Sequence, residues 1–157
     1  MYLFIFTSLT LFAQTVSFHE EKFVEALELY TYRDGNVSYD ENQTVISYKD
    51  GKIITKVDNT VTVQNKDREL LTTINLMEKP DIGLYFILTK ALFLKDFTQL
   101  KENFNIKEFE KEKYQFVPKS DIKKVIENLE LFLTKDESID HFIIKFTNGD
   151  RIKIEAK

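Results

Sequence analysis

Along most of the chain, apolar and polar positions alternate with a period of two, the pattern of strands buried on one face. Residues 44–49 (TVISYK) put Ile46 and Tyr48 on one side. Residues 52–57 follow, then 60–64 (TVTVQ) with Val61 and Val63 together, then 70–76 with Leu70, Thr72, Ile74 and Leu76 in step. Upstream, 18–33 opens the domain with Phe23, Leu27 and Leu29 as inward positions, and a short strand carries Val37 and Tyr39. Asp34-Gly35, Asp40-Glu41-Asn42, Asp50-Gly51 and Asp58-Asn59 mark the turns between them, because these residues accept the backbone angles of tight hairpins. Residues 65–69 read as a charged loop.

Alternation stops at Glu78-Lys79-Pro80 and resumes after Phe104. Residues 106–109 and 113–118 read as strands, the latter with Tyr114 and Phe116 on one face. Next come 128–134 with Leu129, Leu131 and Leu133, and 139–147 with Phe142, Ile144 and Phe146. Residues 120–127 read as an irregular or single-turn connection, and Asn148-Gly149 turns into a last strand over 151–155. Three of the four glycines are thereby assigned to hairpin turns.

The interruption itself predicts a helix. Residues 82–94 are apolar except for a narrow edge at Thr89 and Lys90, and a helix apolar nearly all round must be buried. It is shorter than the roughly 20 apolar residues that cross a bilayer. Asp81 is placed to cap its start. Phe97, Leu100 and Phe104 recur at helical spacing, so a further turn or two follows. Ala91 is the one small residue in mid-helix; it is expected to face the sheet and leave room there.

At 157 residues the chain is long enough for one domain with a sizeable core. Its net charge of -4 lacks the basic excess of a nucleic-acid binder. Cysteine is absent, which excludes disulfides, a thiol nucleophile and thiolate metal ligands. Residues 1–13 carry a charge-free apolar run ending at Ala13, the form of a cleaved signal peptide; the mature domain is then 14–157. No catalytic set emerges. His19 and His141 are the only histidines and are not at ligand spacing, and His141 is expected to point to water. The carboxylate pairs Glu20-Glu21, Asp40-Glu41 and Asp136-Glu137 read as solvated charges. The chain is read as a non-enzyme with no cofactor and no metal.

Several segments together resemble the LolA/LolB-like family of periplasmic lipoprotein carriers. Residues 17–23 (SFHEEKF) are similar to its S-F-x-A-x-F opening. Leu92-Phe93-Leu94, Leu100 and Phe104-Asn105-Ile106 look like its central helix, short second helix and re-entry strand. Residues 114–119 (YQFVPK) are similar to Y-x-L-x-P-K, residues 129–133 (LELFL) to I-E-L-W-F, and residues 148–154 (NGDRIKI) to N-G-x-x-T-x-I. Two features depart from the pattern. The N-terminal amphipathic helix is missing or very short. The family's lid-fastening arginine on an early strand has no match between Asp34 and Asp67, where only Lys49, Lys52 or Lys56 could stand in.

The resemblance implies a mainly β (α+β) fold, an unclosed antiparallel barrel with the helical insert across its concave face as a lid. It implies acyl chains of lipoproteins, or another lipid, held between sheet and helix by a monomer. A donor complex at the inner membrane and an acceptor at the outer membrane would be its partners. On the sheet, the lipid-binding side chains would be Leu27, Leu29, Ile46, Tyr48, Val61, Val63 and Ile74, with Phe116, Leu129, Leu131, Phe142 and Ile144 from the C-terminal strands. Phe86, Leu88, Ala91, Leu92 and Phe93 would come from the helix. The other reading is a protein-interaction or sensory module on the same fold, its helix packed as permanent core.

Overall fold

The computed structural model describes residues 14–157, so the leader expected over 1–13 lies outside the described residues. The N-terminal strands are β1 (Gln14–Val24), β2 (Leu29–Tyr39), β3 (Gln43–Tyr48), β4 (Ile53–Val57), β5 (Thr60–Gln64) and β6 (Leu70–Asn75). Helices α1 (Pro80–Phe93) and α2 (Thr98–Asn103) follow. The chain then returns to strands β7 (Phe104–Glu110), β8 (Lys113–Pro118), β9 (Ile126–Leu133), β10 (Ile139–Phe146) and β11 (Arg151–Ala156). All eleven strands form one antiparallel sheet in the order β6-β5-β4-β3-β2-β1-β11-β10-β9-β8-β7. The chain starts in mid-sheet, walks to one edge, crosses to the other edge through the helices and walks back. The edges β6 and β7 do not pair, so the barrel is unclosed, as the sequence leads one to expect.

Alternation holds along the strands. Phe18, Val37, Ile46 and Val61 are buried on the inner face of β1 to β5, and Leu129, Leu131, Phe142, Ile144 and Ile154 on that of β9 to β11. Helix α1 lies against this face and buries Phe86, Leu88, Thr89, Ala91, Leu92 and Phe93, leaving Ile87 and Lys90 exposed. Thr89 is therefore core, and not the polar edge expected of it. Lys79 occupies the cap position and Pro80 the first turn, where a missing N–H and a fixed φ cost nothing. Asp81 accordingly sits inside the first turn and is not the cap. Lys95 ends the helix with φ 55°, and the Asp96 amide bonds the Ala91 carbonyl at 2.9 Å. Among the described residues, no helix is long and apolar enough to cross a membrane.

The first hairpin differs from the sequence reading. Asp34-Gly35 is not a turn; both residues lie within β2, with Gly35 opposite Phe18. A Cβ on Gly35 would come within 2.9 Å of both Phe18 Cζ and the Ser47 carbonyl, so glycine here makes room for a ring. The chain reverses instead at a 3-10 turn over Glu25–Leu27, with Glu28 at φ 48°. That shift corrects three inward assignments. Phe23 falls on the outer face, 4.8 Å below the Arg151 guanidinium. Leu27 is in the turn and 70% exposed, and Leu29 keeps the inner parity only at the hairpin tip, 49% exposed.

On the outer face, Asp34 gathers one histidine and two lysines. His19 Nδ1 lies 2.9 Å from Oδ1 and Lys49 Nζ 3.0 Å from Oδ2, and Lys157 also donates to Oδ1. The hydrogen bonds from Lys157, His19 and Lys49 hold the Asp34 carboxyl far below the usual carboxylate range.

Gly35→Ala should lower stability by about 1–3 kcal/mol through overpacking against Phe18, read as a fall in the urea unfolding midpoint. For Asp34, a depressed folded pKa means a contribution present above the ordinary value near 3.9 and lost as pH falls below it. Asp34→Asn should therefore narrow its stability gap to the parent as pH drops from about 5 to about 3. Parallel acid limbs in the two proteins would contradict that linkage.

Candidate functional site

The inner face and α1 merge into one apolar cluster. Of the side chains assigned to lipid, Ile46, Tyr48, Val61, Phe116, Leu129, Leu131, Phe142 and Ile144 are buried in it, as are all five from the helix, and Ile74 packs against its border. Val63 is half-buried on the same strand face, two residues from Val61. Leu27 and Leu29 are not brought in. Phe93 is the hub: its ring centroid lies 5.5 Å from Phe142, 6.4 Å from Phe18 and 6.5 Å from Tyr39. Phe18, Tyr39, Leu100, Phe104 and Ile154 were not among the side chains assigned to lipid, although all are buried in this cluster and Ile154 reads as inward from its strand pattern. The alternation through Val16, Phe18 and Glu20 carried the signal for the first of them.

Helix and sheet fit closely. A void of about 10 Å³ remains between them, lined by Phe18, Val37, Tyr39, Ile46, Tyr85, Thr89, Phe93 and Ile154. Ala91 does not line it, so the room expected beside Ala91 is not at that void. Larger spaces open beyond the two ends of α1. At the C-terminal end a cleft of about 860 Å³ runs over Phe97, Phe104, Ile106, Tyr114, Phe116 and Leu133. Its lining also includes Lys101, Lys111 and Lys135 together with Glu108, Glu112 and Glu137. At the N-terminal end a second cleft of about 820 Å³ has Val24, Ile82, Tyr85, Val125, Phe146 and Ile152 among its walls. Both volumes fall in the range of about 300–1,000 Å³ typical of small-molecule sites.

A polar knot interrupts the apolar contact. Glu20 projects from β1 into the interior and is 8% exposed. Its Oε2 accepts the hydroxyl of Tyr48 from β3 at 3.2 Å and that of Tyr85 from α1 at 3.1 Å. Burial pushes both phenols up, and the neighbouring Glu20 charge adds to it. Both therefore stay protonated donors at neutral pH. Burial likewise raises Tyr39, and the neighbouring Thr89 hydroxyl opposes that rise. Thr89 turns its own hydroxyl to the Phe86 carbonyl at 3.2 Å. The Tyr85 bond to Glu20 thus ties α1 directly to the sheet. Glu20 is no solvated charge, as its place beside Glu21 suggested. Lys49 serves the outer Asp34 cluster, while Arg33 of β2 lies inside, its guanidinium 5.3 Å from the Tyr48 ring centroid.

Among the described residues, no three of His, Cys, Asp and Glu gather at metal-binding distance. His19 belongs to the Asp34 cluster. His141 stacks on Phe132 at 4.2 Å between centroids and pairs with Asp140, and so does not simply point to water.

No protein-family model matches the chain, and no curated protein matches it in sequence. Solved structures do. The chain is similar to the lipoprotein LppX of Mycobacterium tuberculosis, with a TM-score of 0.47 and 14% identity over 92% of this chain and 85% of that one. It is also similar to a LolA superfamily protein from Nitrosomonas europaea, with a TM-score of 0.40 and 7% identity over 91% of this chain and 83% of that one.

Tyr85→Phe removes one of the two donors to a buried carboxylate. It should cost about 1–3 kcal/mol, measured by urea unfolding, with faster amide exchange in α1 than in β9 and β10. Unchanged exchange in α1 would mean that packing alone holds the helix.

Proposed function

We propose that this chain is a lipid carrier, one that takes the acyl chains of a lipoprotein or another lipid between α1 and the inner face of the sheet. The observation that carries the reading is α1 itself. It closes an open sheet from the inside, faces it with apolar side chains, and is flanked by clefts with apolar walls at both ends. In this reading a displacement of the helix opens the apolar face of the sheet that lies between the clefts. Each buried CH2 of an acyl chain would then contribute about 0.8 kcal/mol. No bond is made or broken; the work is uptake, shielding and release. In this reading the chain acts in the periplasm after losing its leader, as a monomer. It receives its cargo at the inner membrane and hands it to an acceptor at the outer membrane.

The tight fit of α1 supports the other reading, an interaction module whose helix never leaves. The two differ in uptake. Purified protein should bind a fluorescent fatty acyl probe saturably, and lipids extracted from it should contain acyl species. Leu133→Glu places a charge in the wall of the C-terminal cleft at a half-buried position. It should weaken probe binding about tenfold while the melting temperature changes little. Absence of both probe uptake and bound acyl species would reject the carrier.

A further inference from the structure

The cleft at the start of α1 holds charges that shielding an apolar chain does not require. Arg33 and Glu20 are cross-strand partners on the inner face of β1 and β2, and both line the cleft. Glu20 Oε2 is taken by the two phenols; no hydrogen bond from the described residues reaches Oε1. Arg33 rests on the Tyr48 ring and forms no ion pair among the described residues, and neither does Lys22 two residues along the same strand face. The remaining charges of the cleft are otherwise disposed. Lys124 pairs with Asp121, 2.7 Å away, Asp150 accepts the Glu25 amide at 3.0 Å, and Asp81 sits at the helix start.

A guanidinium and an ammonium outside any ion pair among the described residues, beside a nine-tenths buried carboxylate with one oxygen not taken by the phenols, form a two-signed site. A planar guanidinium fits an oxyanion of phosphate bidentately, and a free carboxylate oxygen asks for an O–H or N–H donor. The apolar wall of Ile82, Phe146 and Ile152 continues from these groups. Resting on the carrier reading, we propose that this cleft is the headgroup subsite of the cargo. The cargo is then a glycerophospholipid-type amphiphile, its phosphate on Arg33 and Lys22 and its ammonium or hydroxyl donor on Glu20.

The test uses displacement of the fluorescent acyl probe by three compounds: lysophosphatidylethanolamine, a monoacylglycerol of the same chain length, and glycerophosphoethanolamine without a chain. The parent protein should be displaced by the lysophospholipid at concentrations about tenfold lower than by the monoacylglycerol. Arg33→Gln should abolish that preference and leave the monoacylglycerol within about twofold. Lys22→Gln, at an exposed position that leaves the fold intact, should reduce the preference and carries the test should Arg33→Gln fail to fold. Equal potency of the two lipids in the parent, or a preference undiminished in both variants, overturns the subsite and leaves the carrier standing. Arginine-dependent binding of glycerophosphoethanolamine as strong as that of the lysophospholipid makes this a soluble phosphate site and also overturns the assignment to a lipid. If the probe is not taken up at all, the carrier reading falls and the subsite with it.

Discussion

A sheet whose inner face is apolar cannot leave that face to water, and this sheet has two unpaired edges as well. Closing the barrel would solve both problems with backbone hydrogen bonds. Here the gap between β6 and β7 is left open, and α1 covers the inner face instead. The two solutions differ in what they allow. Strand pairs part only when a ladder of backbone bonds breaks. A helix held by side-chain packing and by Tyr85 can shift with its own hydrogen bonds intact. The all-round apolar character of α1, which leaves only Ile87 and Lys90 toward water in mid-helix, follows from that role.

The Glu20 knot acts against this mobility. A buried carboxylate is tolerated only when it is well bonded, and the two donors come from different layers, Tyr48 from the sheet and Tyr85 from the helix. Displacing α1 therefore strips Glu20 of one partner unless another donor replaces it. Apolar packing favours closure without regard to register, since Phe93 can meet several aromatic neighbours. The knot adds direction, because only one placement of α1 brings Tyr85 to Glu20. Specific seating and apolar sealing are thus assigned to different side chains.

How much of this was legible in the sequence depends on which signal a residue carries. The strands around Ile46, Val61, Phe116, Leu131 and Phe142 were legible because alternation against a buried face leaves little freedom of register. The helix was legible because 82–94 has no polar face for water. Asp34-Gly35 misled because its residue types serve two ends. Asp34 draws His19, Lys49 and Lys157 on the outer face and Gly35 yields space to Phe18 within the strand, and nothing local distinguishes this from a turn. The true reversal at Glu25–Leu27 uses a left-handed Glu28, a conformation that no glycine announces. Glu20 looked like part of an acidic surface patch; only its parity with Phe18 points inward. Arg33 lies one residue before the arginine-free interval 34–67, so the inner cation escaped notice. The pairing of Tyr85 with Glu20 joins residues 65 positions apart and is fixed by the crossover, which no local pattern encodes.

The order of the strands has a consequence for how the molecule assembles. Within each half, 14–75 and 104–157, every strand pairs with its chain neighbour, so each hairpin closes over a short loop. The halves meet at one seam, β1 against β11, where Phe18 faces Ala156 across most of the chain length. Loop closure over that span is the entropically demanding step. Two meanders can therefore form early and separately, each exposing a half-face of grease, until the seam zips and α1 has a complete wall to lie on. The helix is encoded between the halves but can be seated only after they join, so the part of the chain most in need of cover is the last to receive it.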